Sequence, residues 1–241
     1  MIFSFTKNIR IFLIVGFTLT ALTSGVIGTL EYFFINKHFS PTLVNPSIWQ
    51  HRVNNQASLE KAVVLKRKGI EMDVIFQDDQ IYVTHNMPTE NTPLFTDFIK
   101  EVPDEMKIWV DFKKLKKADI PKILDIFERI NPKLKFKKRA FIESKNTQAL
   151  THLSNKGYQT LFWIYPYPNT RAHFFYNLKN KYLIVTSSFG GVSMDHEHLD
   201  QRTAQTFRNI PLYVFTINQE EKIKNILSLP NVKVVLTDQN N

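Results

Sequence analysis

Between Ser47 and Thr237 the chain alternates short strand-like runs with helical stretches, and this order constrains the fold more than any other feature. Eight runs have strand character: 47–52, 69–76, 106–112, 139–143, 159–165, 182–187, 211–217 and 232–237. Helical spacing falls between them, at 59–68, 94–101, 121–130, 146–156, 168–179, 200–208 and 219–227. Strands separated by helices predict a parallel sheet, and eight such units predict a closed (β/α)8 TIM barrel. The run 81–85 alternates like a return strand after the turn Gln77-Asp-Asp-Gln80. Gly69 reads as a left-handed end to the helix at 59–68, and the helix at 121–130 is expected to stop before Asn131-Pro132. No final helix follows the eighth strand. Residues 31–45 are therefore expected to cover the gap between the first and last strands, which would otherwise leave a wet apolar patch.

Ahead of the barrel, Ile11 to Leu30 holds no charged residue; Lys7 and Arg10 precede it and Glu31 follows. A membrane span needs about 20 apolar residues, whereas the apolar part of a cleaved signal needs about 7–15. The run is thus expected to be an uncleaved transmembrane anchor. Positive charge before it places the rest of the chain outside the cytoplasm, periplasmic or extracellular. Cleavage near Ala21 to Gly25 would give a secreted domain instead. The expected organisation is an anchor or signal at 1–30, a juxtamembrane linker at 31–46 and a barrel at 47–241.

Within Gly69-Ile-Glu-Met-Asp-Val-Ile-Phe76, Glu71 and Asp73 stand two residues apart in a β-branched run, so both side chains leave one face of a strand. Asp111 and Lys113 repeat the spacing at the end of the third run. Buried acids need a cation or a protein partner, because an unpaired buried charge costs several kcal/mol. With no cysteine in the chain, disulfides, zinc-thiolate sites and thiol nucleophiles are excluded. The net charge of +9 suits an anionic partner such as a phosphate ester or phospholipid headgroup.

His51-Arg52, Glu71-x-Asp73, His85 and Asp111-x-Lys113, in that order, resemble the glycerophosphodiester phosphodiesterase superfamily, the phospholipase C-like phosphodiesterases built on a TIM barrel. The resemblance covers roughly residues 48 to 239. Val53 stands where common members have glycine after the His-Arg pair, and Asn86 where an Asp commonly follows the second His. The short spacings are closer to the menorin-like and sphingomyelinase D-like branches.

The resemblance implies that all these residues meet at the carboxyl ends of the strands. Glu71, Asp73 and Asp111 would then hold one divalent cation, Mg²⁺ or Ca²⁺, since hard ions take oxygen ligands and zinc prefers softer ones. Arg52 and Lys113 would neutralise the substrate phosphate. His51 would act as general base and His85 as general acid, with the reverse assignment left open. The implied activity is metal-dependent hydrolysis of glycerophosphodiesters or phospholipid headgroups. Two alternatives stay open: sphingomyelinase D-like release of a cyclic phosphate, and a barrel that binds phosphate or lipid without turning it over.

Further candidates are weaker. Glu143 is read as a neighbour of the metal, a partner of Lys113 or a plain structural pair. Trp163, Tyr165 and Tyr167 are candidate pocket walls. Phe215-Thr-Ile-Asn218 resembles the family's Trp-Thr-Val-Asn, with Phe215 and Asn218 near the pocket floor. Met194-Asp-His-Glu-His-Leu199 has a metal-like composition but is expected in a loop. The basic clusters 113–117 and 133–139 read as solvated edges, with anionic lipid as the alternative. No aromatic-basic stacking platform points to nucleic acid.

Overall fold

The computed structural model describes residues 21–37, 45–165 and 171–239. Its strands are β1 (Ser47–Gln50), β2 (Gly69–Gln77), β3 (Gln80–Val83), β4 (Lys107–Phe112), β5 (Ala140–Ser144), β6 (Gln159–Trp163), β7 (Gly191–Asp195), β8 (Leu212–Phe215) and β9 (Val232–Thr237). All except β3 run parallel to their neighbours. β1 pairs with both β9 and β2, which closes an eight-stranded barrel. β3 is an antiparallel hairpin partner of β2, as its alternation predicts.

Strand parity separates two cores. One parity gives Trp49, Trp109, Phe141, Leu161, Tyr213, Val234 and Leu236, which pack on one another inside the ring. The other parity, with Ile70, Met72, Val74, Val110, Ile142 and Val214, joins the apolar faces of the helices. Large inward rings need small residues opposite them. A Cβ at Gly69 would lie 2.5 Å from the Trp49 indole, and one at Gly191 would lie 2.7 Å from the Tyr213 ring. Gly69 is therefore a packing requirement at the start of β2, not a helix cap. The left-handed residue after the preceding helix is Lys66, at φ 51°.

The helices are α1 (21–36), α2 (Gln56–Val64), α3 (Phe95–Glu101), α4 (Ile120–Leu134), α5 (Phe136–Arg139), α6 (Thr147–Asn155), α7 (Arg171–Thr186), α8 (Gln201–Thr206) and α9 (Glu220–Leu227). Two differ from expectation. α4 runs through Asn131 and Pro132, because a proline in the last turn is tolerated when Lys135 can close the helix at φ 50°. The strand expected at 182–187 is helix instead. Asn177, Asn180, Lys181 and Ile184 are buried at helical spacing, and that burial overrides the β-branched content of the run. The sixth barrel strand is β7, whose leading glycines hide its strand character from a propensity reading.

The described part of the segment expected to cover the gap, residues 31–37, docks on α7 and α8, and residues 38–44 lie outside the described residues. Phe34 is buried and packs edge-on against Phe207, Glu31 pairs with Lys181 at 2.5 Å, and Asn209 donates to the Ile35 carbonyl. Lys37 donates to the carbonyls of Ile184, Val185 and Ser187 at the end of α7. The segment thus closes over α7 and the end of α8. Among the described residues no helix is long and apolar enough to cross a membrane. Residues 11–20, half of the expected span, lie outside the described residues. Arg139, expected at a basic solvated edge, is buried and donates to the carbonyls of Val102, Pro103 and Met106.

Candidate active site

Above the aromatic interior the inward positions turn polar, and they line a cavity of ≈ 370 Å³ at the carboxyl ends of the strands. β2 contributes Glu71, β4 contributes Asp111, and the residues after β1 contribute His51 and Arg52. Register places Asp73 beside Asp111, and Asp111 beside Glu143. Ligand atoms of Glu71, Asp73 and Asp111 all lie within 4.8 Å of one another.

Glu71 and Asp73 are 2% and 1% exposed. Local sequence holds both in place. Arg52 adopts φ 53°, an uncommon conformation for a non-glycine residue, and turns its backbone N–H onto Glu71 Oε2 at 2.8 Å. Asn54 donates to Asp73 Oδ2 at 2.7 Å and accepts from the Asp73 N–H at 2.9 Å. Lys113 Nζ sits 2.9 Å from Asp73 and pairs with Asp111. When all three acids are ionised, three carboxylates against one ammonium leave two negative charges uncompensated.

The electrostatics follow. Burial, reinforced by Asp73 and Asp111, pushes the Glu71 carboxyl well above its ordinary range. Burial also raises Asp111, although Lys113 opposes the shift. For Lys113, burial works against the charge, but Asp111 and Asp73 outweigh it and hold the ammonium protonated. Among the described residues, Glu71 Oε1 is buried without a hydrogen-bond partner. An acid cluster with excess charge and an orphan oxygen fits a hard divalent cation.

His51 faces this cluster, with Nε2 3.7 Å from Glu71 Oε2. Its other nitrogen lies 2.8 Å from Asp238 Oδ1 and 3.3 Å from the Thr216 hydroxyl. Asp238 is positioned in turn by Asn218, which donates to Oδ2 at 3.2 Å and accepts the Asp238 N–H at 2.8 Å. Burial lowers the His51 imidazole, and Asp238 offsets part of that shift.

The remaining candidates divide. His85 stands exposed in the segment after β3, with Asn86 Oδ1 at 3.4 Å, close enough to lower the Asp111 carboxyl electrostatically. Glu143 reaches the cavity but is held by Trp109 Nε1 at 3.0 Å and by the Ser193 hydroxyl, and burial followed by Asp111 pushes it up to about 8. It stands outside the acid triad. Phe215 packs against Trp109 and Trp163 and forms part of the cavity wall. Asn218 acts through Asp238, and Tyr165 packs at a tilt against His198 beside a neighbouring recess. Tyr167 lies outside the described residues.

Sequence reasoning missed Asn54 and Asp238, and it named Asp195 and Thr216 only inside longer runs, with no role of their own in the site. Asp195 and His196 line the cavity at the end of β7. The run 194–199 is thus the end of a barrel strand and a 3₁₀ turn, and among the described residues it joins no metal-ligand group.

No family model matches the chain, and no curated protein does. Solved structures do. A glycerophosphodiester phosphodiesterase from Agrobacterium tumefaciens aligns with TM-score 0.59 at 13% identity, covering 81% of this chain and 97% of the other. An Oleispira antarctica phosphodiesterase, solved with the product sn-glycerol-3-phosphate, aligns with TM-score 0.60 at 13% identity over 80% and 93%. A calcium-dependent phosphoinositol-specific phospholipase C from Pseudomonas aligns with TM-score 0.54 at 7% identity over 79% and 88%. The chain shares the barrel fold of these proteins.

Proposed function

We propose that this chain is a metal-dependent phosphodiesterase that cleaves glycerophosphodiesters or phospholipid headgroups. The observation that carries the reading is an oxygen-only triad, Glu71, Asp73 and Asp111, facing an imidazole whose far nitrogen is tied to Asp238. The fold shared with a phosphodiesterase bound to sn-glycerol-3-phosphate supports the substrate class. The calcium-dependent neighbour supports a hard ion, Ca²⁺ or Mg²⁺. Held by the triad, such an ion would supply the positive charge that makes a phosphodiester open to attack.

The residues do the rest. A His51 Nδ1–H donated to Asp238 leaves the Nε2 lone pair facing the cavity, and burial keeps the ring neutral and able to accept a proton. His51 takes the proton of the attacking hydroxyl, water or a hydroxyl of the substrate, as the new O–P bond forms. His85 gives a proton to the departing alcohol oxygen as the old P–O bond breaks. Each transfer is worth about 10²–10⁴ in rate. Arg52 offers its fork to the phosphate oxygens, and Lys113 adds charge while fixing two of the acids.

The uncharged run 11–30 supports a membrane anchor that holds the domain outside the cytoplasm. Full-length protein would then remain with membranes after carbonate washing. The activity is tested by incubating purified protein with a panel of diesters and lysophospholipids in Mg²⁺, Ca²⁺ or EDTA, with products read by phosphorus NMR. Ion-dependent turnover lost in His51→Ala is expected. No turnover of any diester with either ion overturns the reading.

A further inference from the structure

Beside the cavity, on the far side of Trp163, lies a second recess of ≈ 550 Å³ between the residues after β5, the end of β6 and the inner face of α7. Its described lining includes Lys145, Thr147, Trp163, Lys179 and Asn180 and no carboxylate. Lys145 Nζ rests 3.5 Å from the centre of the Trp163 ring, so an ammonium stands at the wall that both spaces share. Neither Lys145 nor Lys179 has an acidic partner within 4.0 Å among the described residues, in contrast to Lys113 and Lys181. Asn180 is 2% exposed, and its Nδ2 amide has no hydrogen-bond partner among the described residues. A buried donor left unsatisfied costs about 1–3 kcal/mol, and such groups ordinarily mark a missing acceptor. Trp163 Nε1 is a second buried donor without a partner among the described residues.

We propose that this recess is an anion subsite that takes a second phosphate or carboxylate carried on the alcohol side of the substrate. The enzyme then favours phosphodiesters with a doubly anionic headgroup. The proposal rests on the phosphodiesterase reading for its catalytic consequence and on the lysines, the orphan amide and the absence of acids for the site itself. A diester bound with its alcohol group toward Trp163, the wall both spaces share, would bring an additional anion to Lys145 and Lys179. Free inorganic phosphate presents the same chemistry without the tether.

The test compares glycerophosphoinositol with glycerophosphoinositol 4-phosphate on the full chain, in wild type and in Lys145→Ala, Lys179→Ala and the double variant. Both lysines are solvent-facing, so the variants are expected to keep the wild-type melting temperature. Wild-type kcat/KM is expected to favour the phosphorylated substrate by at least about tenfold, the size of one charge-assisted contact, and the ratio to fall toward one in the double variant. A wild-type ratio near one overturns the proposal. Calorimetry with inositol 1,4-bisphosphate in EDTA reads the recess without turnover. Binding lost in the double variant supports the subsite even where no diester of the panel is cleaved, an outcome that sinks only the phosphodiesterase reading. Inorganic phosphate binding as tightly as the bisphosphate assigns the recess to a free anion and overturns the substrate assignment.

Discussion

His51 and Asp238 are 187 residues apart in sequence and 2.8 Å apart in space, and closure of β1 against β9 is what brings them together. The carboxylate fixes which imidazole nitrogen faces the acid triad. Asp238→Ala is expected to lower kcat about 10–100-fold, the usual cost of losing an orienting partner. Asp238 also raises the His51 pKa. Its removal should therefore move the acid limb of the pH–rate profile to lower pH. An unchanged profile would detach Asp238 from the base.

Glu71 and Glu143 predict how stability varies with pH. Both have folded-state pKa values above the ordinary 4.5, Glu143 at about 8. Between the unfolded and folded values the native state holds more protons, so stability falls as pH rises. In EDTA the melting temperature is expected to decline from about pH 5 to pH 8. Saturating Ca²⁺ or Mg²⁺ should abolish the Glu71 share of that decline, since an ion favours the ionised triad. Glu71→Gln should flatten the ion-free curve and eliminate ion binding. Melting curves across pH with and without ion check both.

Parity made part of this site legible in the sequence. Glu71 and Asp73 alternate with apolar residues on one strand, so a period of two announces a polar inward face. Asp111-x-Lys113 follows the same rule. Asp195 and His196 escaped it because Gly190 and Gly191 carry no strand signal, though Tyr213 demands that small residue inside the ring. Asn54 and Asp238 escaped for another reason. Each works through a hydrogen bond to a distant residue, and only the closed barrel supplies the partner. The helical state of 182–186 was equally hidden, since it depends on burial against α1 and the barrel wall.

The leaving-group proton can be assigned by experiment. His85 lies exposed beside Asp111, while His196 lines the cavity from β7. A general acid matters for an alkoxide and hardly at all for p-nitrophenolate. His85→Asn is expected to lose about 10²–10⁴ in kcat on glycerophosphoglycerol and little on a p-nitrophenyl diester. His196→Asn should affect both substrates alike. The opposite pattern would move the acid role to His196.

α1 contributes to the stability of the domain. Phe34 is buried against Phe207, Glu31 neutralises the largely buried Lys181, and Lys37 caps the end of α7. A chain starting at residue 45 is expected to melt well below full-length protein, because Lys181 would be left without its carboxylate and Phe34 without its pocket. Phe34→Ala alone should cost about 3–5 kcal/mol by denaturant titration. Equal stability of the truncated chain would make α1 an ornament of the fold.

Gly69 tests the packing that supports the site from below. Its missing side chain makes room for the Trp49 indole, which lies edge-on against Phe141 at 5.8 Å and belongs to the aromatic plug under the cavity. Three indole atoms fall within 2.8 Å of a Cβ at residue 69, and Trp49 is fully buried, so the ring cannot swing into solvent. Gly69→Ala is therefore expected to destabilise the fold by about 1–3 kcal/mol through overpacking. Gly69 begins the strand that carries Glu71, only two residues away, so the displacement should propagate to the triad and weaken ion affinity as well. A Trp49→Phe change should relieve the clash and restore both stability and ion binding in the double variant. Two independent, additive losses in the pair would show instead that the indole and the glycine do not share one space.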